Sequence, residues 1–387
     1  MNKKIVFFCG ILLFCVSFYT AQSLVQSEIT VQTPSNQDQI EVTDPSNNPD
    51  EQQVYSGPKT EECPLNGEKL TKEEKALWET RRPLVVMIEN HTDARPQSGL
   101  TSADIIYEAV AEGGITRFAT VFYCKDAPYI GPVRSARVYF ISFAAEYGNN
   151  PLYAHVGGAN TPGPADALGK LHTIKWSGKN DLNQFSINFP YFFRDYDRLT
   201  GRATEHTMYS STQKLWEYAQ KARKLTNIDD NGLSWDSTYQ KWEFKEDEPS
   251  KSPLAPTINF DFWSGRSAYS VEWNYTPKLN KYLRSNGGKS HIDKNTNKQL
   301  SAKNVVILFM QESKANDGYE KGAHLLYKTT GTGKGLVFQD GNVIDVIWSK
   351  KNDTAKMQIT SKTGENVSFN RGMIWFEVVP MGNTVTY

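Results

Sequence analysis

The sequence predicts an α/β or α+β N-terminal domain followed by a smaller, mostly β C-terminal domain. Three observations carry this. Between 82 and 225, short β-type runs alternate with segments of helical spacing, as when strands and helices share a core. From about Leu233 the helical spacing stops, and short apolar runs are separated by polar or glycine-containing turns. Between the two regions, 226–232 is polar and rich in Asn and Asp. The reading divides the chain into an export signal at 1–21, a stalk at 22–62, a first domain at 63–228 and a second at 233–387.

The N-terminus carries Asn2, Lys3 and Lys4, then the apolar run IVFFCGILLFCVSFY. That run is short of the ~20 residues a membrane span needs, and it fits the core of a secretory signal. Small residues follow at Thr20, Ala21 and Ser23. Two readings stand: a signal peptide cut near Ala21 or Ser23, or an uncleaved anchor that holds the protein to the membrane. Cys9 and Cys15 each follow a Phe, so neither suits lipid attachment. Residues 22–62 are nearly all Ser, Gln, Asn, Asp, Pro, Glu and Thr. Such a segment buries too little apolar surface to offset its ordering entropy, and it reads as a flexible stalk. The expected location is extracytoplasmic, secreted or anchored to the outer face of the cytoplasmic membrane.

The 43 Lys and Arg balance the 43 Asp and Glu, with no basic stretch, which argues against nucleic acid or an acidic lipid surface as the main partner. Two cysteines, Cys63 and Cys124, lie in the exported part. An even pair in an oxidising compartment predicts a disulfide. No Cys or His lies at ligand spacing to either one, so no metal site and no cofactor are expected.

The elements follow in order. Residues 82–89, RPLVVMIE, read as a buried strand; 105–112 and 115–123 are β-type runs joined at Gly113-Gly114, a hairpin signal. Residues 135–147, SARVYFISFAAEY, have helical spacing, with Ser135 a natural N-cap and Gly148 a natural stop. A short strand at 152–156 precedes a short helix at 163–171, and 212–225 is an amphipathic helix. The second domain reads as strands in LSWDSTYQKWEF, YSVEWNY, NVVILFM, GLVFQDG, NVIDVIWS, AKMQITS and MIWFEVVP.

Candidate functional residues crowd the strand ends of the first domain: Glu89, Asn90, Arg95, Gln97, Asp104, Glu108, Glu112, Arg117, Arg134, Ser135, Arg137 and His155. The segment GPVRSAR is the sharpest of them. A helix N-terminus offers free N–H groups and partial positive charge. Two arginines beside it, with Arg117, would bind a phosphate, pyrophosphate or carboxylate. The competing reading pairs these arginines with Glu89, Glu108 or Glu112 as a structural network. His155 reads more readily as a satisfied core histidine than as a catalyst, and Ser135 has no nucleophile-elbow setting.

The run RPLVVMIENHTDARPQSGLTSADIIYEAVAEGGITRFATVFYCKDAPYIGPVRSARVYF, with YAHVGG after it, resembles the YerB-like family of bacterial cell-envelope lipoproteins. GKGLVFQDGNVIDVIWSK and FNRGMIWFEVVP look like that family's second domain, and the match runs from about Cys63 to the C-terminus. The family has no assigned reaction, and the missing lipid-attachment site departs from its pattern. A fainter likeness, in the order of ADIIYE, GPVRSAR and YAHVGG, is to the LytR–CpsA–Psr phosphotransferases. The resulting expectation is a non-catalytic accessory factor for cell-wall synthesis or remodelling. Its partners would be cell-wall enzymes or glycan, and the membrane if the N-terminal segment stays uncleaved. The alternative is a phosphotransferase acting on cell-wall glycopolymer precursors, with Arg117, Arg134 and Arg137 on the phosphate and Glu89, Asp104 or Glu108 holding Mg²⁺.

Overall fold

The computed structural model describes residues 55–319 and 323–387, so the export signal and most of the stalk lie outside the described residues. Sixteen strands build two sheets. In the first half these are β1 (Leu84–Glu89), β2 (Ile105–Glu112), β3 (Ile115–Phe122), β4 (Leu152–His155) and β5 (Asp181–Asn183). Then come β6 (Thr257–Phe260), β7 (Val271–Thr276), β8 (Lys281–Asn286), β9 (Lys289–Ser290) and β10 (Ser301–Ala302). The last are β11 (Asn304–Met310), β12 (Gly331–Gln339), β13 (Asn342–Lys350), β14 (Gln358–Ser361), β15 (Ile374–Pro380) and β16 (Val385–Thr386). Among the described residues four α-helices accompany them: α1 (Lys72–Trp78), α2 (Val138–Ala144), α3 (Ala167–Thr173) and α4 (Thr212–Arg223).

The first half is mixed α and β, and the second is almost all β, as the sequence pattern predicts. Their join is closer than a polar linker suggests. Ten strands form one sheet in the order β14-β13-β12-β11-β15-β2-β3-β1-β4-β5. Strand β15, from the far end of the chain, lies parallel between β11 and β2, with Ile374 opposite Ile105 and Glu377 opposite Glu108. All of its seven residues are buried. A continuous apolar strand of this kind needs cover on both faces. One cover is the second sheet, β9-β8-β7-β6-β16 with β10 beside β8, which sets Trp273 edge-on to Trp375 at 5.2 Å. The other is α2, where Phe143 stacks on Tyr107 and Tyr107 on Phe376.

The β2–β3 hairpin turns on Gly113 and Gly114, both at positive φ, 57° and 83°, which the primed two-residue turns require. Helix α4 begins at the side-chain cap of Ser211. Cys63 and Cys124 are bonded, tying the start of the described chain to the end of β3.

Two expectations need correction. Helix α2 starts at Val138, not Ser135, and ends at Ala144, well short of Gly148. The N–H groups of Arg134 and Ala136 are already bound to the carbonyls of Met87 and Gly157, so this stretch runs extended beside β1. Ser135 caps nothing; Arg137 stands at the N-cap position without a side-chain bond. The run LSWDSTYQKWEF, expected as strand, contains a 3₁₀ turn at Trp235–Thr238 and pairs only through a single bridge from Ser234 to Ile228 and at Phe244–Lys245. Its aromatic spacing serves single anchors: Trp235 is buried edge-on to Tyr123 and donates to the Tyr123 hydroxyl at 3.2 Å.

Candidate functional site

Successive residues of a strand face opposite sides of a sheet, and this sorts the polar residues into two groups. Glu89 stands opposite Arg117 across β1 and β3, whereas Glu108 on β2 stands opposite Phe118. Glu89 and Arg117 therefore share one face, and Glu108 points through the other.

On the first face, the Glu89 carboxylate is a hub. One oxygen meets Arg134 Nε at 3.0 Å, and the other accepts from His206 Nδ1 at 2.9 Å. Glu112 holds the remaining two arginines, Arg137 Nη2 at 2.6 Å and Arg117 Nη2 at 3.4 Å. One further donor of each goes to a peptide carbonyl, Arg117 to Ser135 at 2.7 Å, Arg137 to Ala136 at 3.0 Å and Arg134 to Glu205 at 3.4 Å, while Arg117 Nε and Arg137 Nε are buried without a hydrogen bond. Burial tends to raise the Glu112 carboxyl, but the guanidiniums of Arg117 and Arg137 hold it below the usual carboxylate range. Arg117 is pushed down to about 10 by burial and by the neighbouring Arg137. Arg134 is the most open of the three, with 24% of its side chain exposed.

The His91 ring stacks on that of His206 at 4.8 Å. His91, Asp93 and His206 offer ligand atoms within 4.8 Å of one another. Parallel rings do not aim two lone pairs at one point, and Arg202 already stands 3.5 Å from Asp93, so the arrangement disfavours a cation. His155 is fully buried. Its Nδ1 lies 2.6 Å from the Gly157 carbonyl, which can only accept, and its Nε2 lies 2.6 Å from Asp181. Both ring nitrogens are engaged inside the protein, so His155 has none free to meet a substrate.

Through the other face runs a buried chain of hydrogen bonds whose directions are fixed at every step. Arg284 can only donate, so it donates to His291 Nδ1 at 2.6 Å. His291 Nε2–H then donates to Gln97 Oε1 at 2.8 Å. Gln97 Nε2 donates to the Glu89 carbonyl and to Asn90 Oδ1, at 3.0 and 2.9 Å. Asn90 Nδ2 donates on to Thr116 and Glu108, and Arg95 Nε also reaches Asn90 Oδ1 at 2.9 Å. The Arg95 guanidinium is lowered to about 10 by burial and by Arg284. Arg284 Nη2 closes the circuit on Glu108 at 2.5 Å, and Glu377 accepts from Trp273 Nε1 at 3.0 Å.

Asp104 belongs to neither group. It lies at the far end of the hairpin beside the disulfide, accepting from the N–H groups of Tyr123 and Cys124 at 2.7 and 3.0 Å. Burial pushes its carboxyl up to about 6, against the pull of the Lys125 ammonium. Glu89, Asp104 and Glu108 thus point into three separate surroundings and do not converge on a shared Mg²⁺.

Of the sequence candidates, Glu89, Glu112, Arg117, Arg134, Ser135 and Arg137 come together on one face. Asn90, Arg95, Gln97 and Glu108 join the buried chain, and Asp104 and His155 stand apart. Sequence reasoning missed Arg284, His291 and Glu377, and it reads His206 as orienting a loop rather than as a partner of Glu89. A signal existed for two of them. In KYLRSN the parity that buries Tyr282 also buries Arg284, and a lone Glu377 in the apolar run IWFEVVP requires a partner.

The fold and these clusters define a protein of two sequence segments fused through one sheet, with a carboxylate-clamped arginine cluster on one face of it. Two family models match in tandem. The "protein of unknown function (DUF3048) N-terminal domain" covers 65–226, and the matching C-terminal domain covers 258–376. The chain belongs to this family, the YerB-like proteins. It is 31% identical over 326 residues to the "Putative lipoprotein YerB" of Bacillus subtilis (strain 168), covering 82% of this chain and 86% of that one. The crystal structure of the YerB protein from Bacillus subtilis superposes with a TM-score of 0.68 at 26% identity, over 85% of this chain and 100% of that one.

Proposed function

We propose that the chain is an extracytoplasmic, envelope-associated accessory protein that binds a cell-wall synthesis or remodelling enzyme, or wall glycan, and catalyses no reaction itself. One observation carries the reading. Arg117, Arg134 and Arg137, the residues best suited to a phosphate substrate, are committed to Glu89, Glu112 and peptide carbonyls. A phosphotransferase would hold such donors open for the charge that develops on the transferring group. The name of the Bacillus subtilis relative supports the outer-face location. In-cell crosslinking followed by pull-down is expected to recover wall-building enzymes or peptidoglycan fragments. Transfer of a glycopolymer from a lipid-pyrophosphate donor by the purified protein with Mg²⁺ would overturn the accessory reading.

A further inference from the structure

The arginine cluster is neutralised from within, but a second cationic site is not. A cavity of about 330 Å³ opens between the residue after the disulfide and the β8–β10 edge of the second sheet. It is lined by Lys125, Lys281, Lys298, Lys303 and Arg371 against a single carboxylate, Glu68. Three of these cations have counter-ions. Lys125 meets Glu68 at 2.9 Å, Lys303 meets Asp247, and Arg371 meets Glu62 and Glu246 at 3.1 and 3.0 Å. Among the described residues, Lys281 and Lys298 have no ion-pair partner, so the cavity carries two positive charges that the protein leaves unmatched.

Lys281 is the telling one. It is half-buried on β8, and burial together with the nearby Lys303 and Lys125 ammoniums holds its own ammonium below the usual lysine range, although Glu68 and Asp247 oppose them. A cation kept at that cost, in a cavity that Thr296 and Ser301 also line, has the character of a binding group rather than a stabilising one.

We propose that this cavity is an anion site that takes a phosphate group borne on a larger polar molecule. Two unmatched ammoniums balance the charge of a phosphomonoester dianion. Lysine suits phosphate as a point charge on a flexible stem. The volume leaves room for part of the group that the phosphate esterifies. The site is separate from the arginine cluster and does not depend on the accessory reading.

The test uses the purified chain without its N-terminal segment, at constant ionic strength set with sodium chloride. Glycerol phosphate is titrated calorimetrically into wild type and into the double variant Lys281→Gln/Lys298→Gln. The expected result is saturable binding by wild type and at least tenfold weaker binding by the variant. Without ligand, the variant is expected to melt cooperatively at the same temperature as wild type or higher, because it loses charge repulsion and no ion pair. Vesicles of phosphatidic acid, whose phosphate is a monoester, in phosphatidylcholine identify the source of the phosphate. Vesicle binding competed by glycerol phosphate assigns a lipid headgroup, and binding of glycerol phosphate alone assigns a soluble phosphoester; both support the site. No saturable binding beyond chloride, or equal binding by the variant, overturns it. So does a marked fall in the variant's melting temperature, which would make the lysines structural.

Discussion

Arg284 has two buried carboxylates beside it, Glu108 and Glu377, and they are not equivalent. Burial and the adjacent Glu108 push the Glu377 carboxyl well above its usual range, toward its protonated form. Glu108, at 2.5 Å against 3.7 Å for Glu377, is the closer counter-ion of Arg284. Burial and the Arg284 charge push His291 well below its usual value, so it stays neutral, as the direction of its hydrogen bonds requires. Replacing Arg284 by Leu strands Glu108 and is expected to cost ~3–5 kcal/mol. Glu377→Gln behaves differently. A carboxyl whose folded pKa is raised contributes its stability below about pH 4.3, and loses it as pH rises toward the folded value. Gln carries no such term. Urea unfolding from pH 5 to pH 9 should therefore show the variant gaining on wild type as pH rises; a pH-independent difference would mean that Glu377 is ionised throughout. Arg134 stands with the structural residues. Arg134→Ala leaves Glu89 with His206 alone, and is expected to cost about 3 kcal/mol, the low end for breaking a buried pair, since His206 stays as a partner. A melting temperature within a degree of wild type would return Arg134 to the role of a ligand-binding group.

The start of helix α2 shows where local reading stops working. Ser135 has the right side chain for an N-cap, and the residues after it have helical spacing. Its neighbours' amides, however, are held by Met87 and Gly157, neither of which is adjacent in sequence. Tertiary pairing wins, and the helix waits for Val138. At α4 tertiary bonds also reach the flanking amides, Ser210 to Ile130 and Thr212 to Ala127, but the Lys214 N–H in the first turn is left to its cap, and the Ser211 hydroxyl accepts from it at 3.1 Å. Ser211→Ala should thus lower stability by about 1 kcal/mol, while Ser135→Ala should stay within about 0.5 kcal/mol, as for an ordinary partly exposed position. Equal losses at the two serines would contradict the assigned helix boundary. The same contrast governs what could be read in advance. Strands β1, β2 and β3 were legible because their apolar runs and the Gly-Gly turn are local signals. The arginines and acids of the site were legible as residue types, but not their pairing. Glu89 joins His206, and Glu108 joins Arg284, across separations that only strand order creates. The run from Leu233 misled because single buried aromatics such as Trp235 imitate strand alternation.

The family models divide the chain into an N-terminal and a C-terminal segment, which invites the idea that each folds alone; the sheet argues otherwise. Within the first segment the Cys63–Cys124 bond closes a loop of 61 residues. Its reduction should cost ~4 kcal/mol in the chain-entropy model, readable as an earlier urea midpoint in reductant. That brace does nothing for the join at β2. Removing the C-terminal segment strips β15 from β2, leaving Ile105 to Glu108 as an open edge where a parallel partner stood. An unpaired apolar edge invites association with other chains. The cut also exposes the face carrying Phe118, which packs on Trp375 at 5.5 Å, and it deprives Glu108 of Arg284, its only cation partner among the described residues. The C-terminal segment would suffer in turn, since Arg284 loses Glu108, its closer counter-ion, and keeps only Glu377 at 3.7 Å. Residues 55–256 expressed alone are therefore expected to be aggregation-prone and to lack a cooperative thermal transition. Co-expression with 257–387 should restore one, because β15 can re-enter between β11 and β2 without a covalent link. The decisive measurement is calorimetry of 55–256 in isolation. A sharp transition with an enthalpy in proportion to its length would show that the first segment is an independent folding unit and that β15 only docks on it.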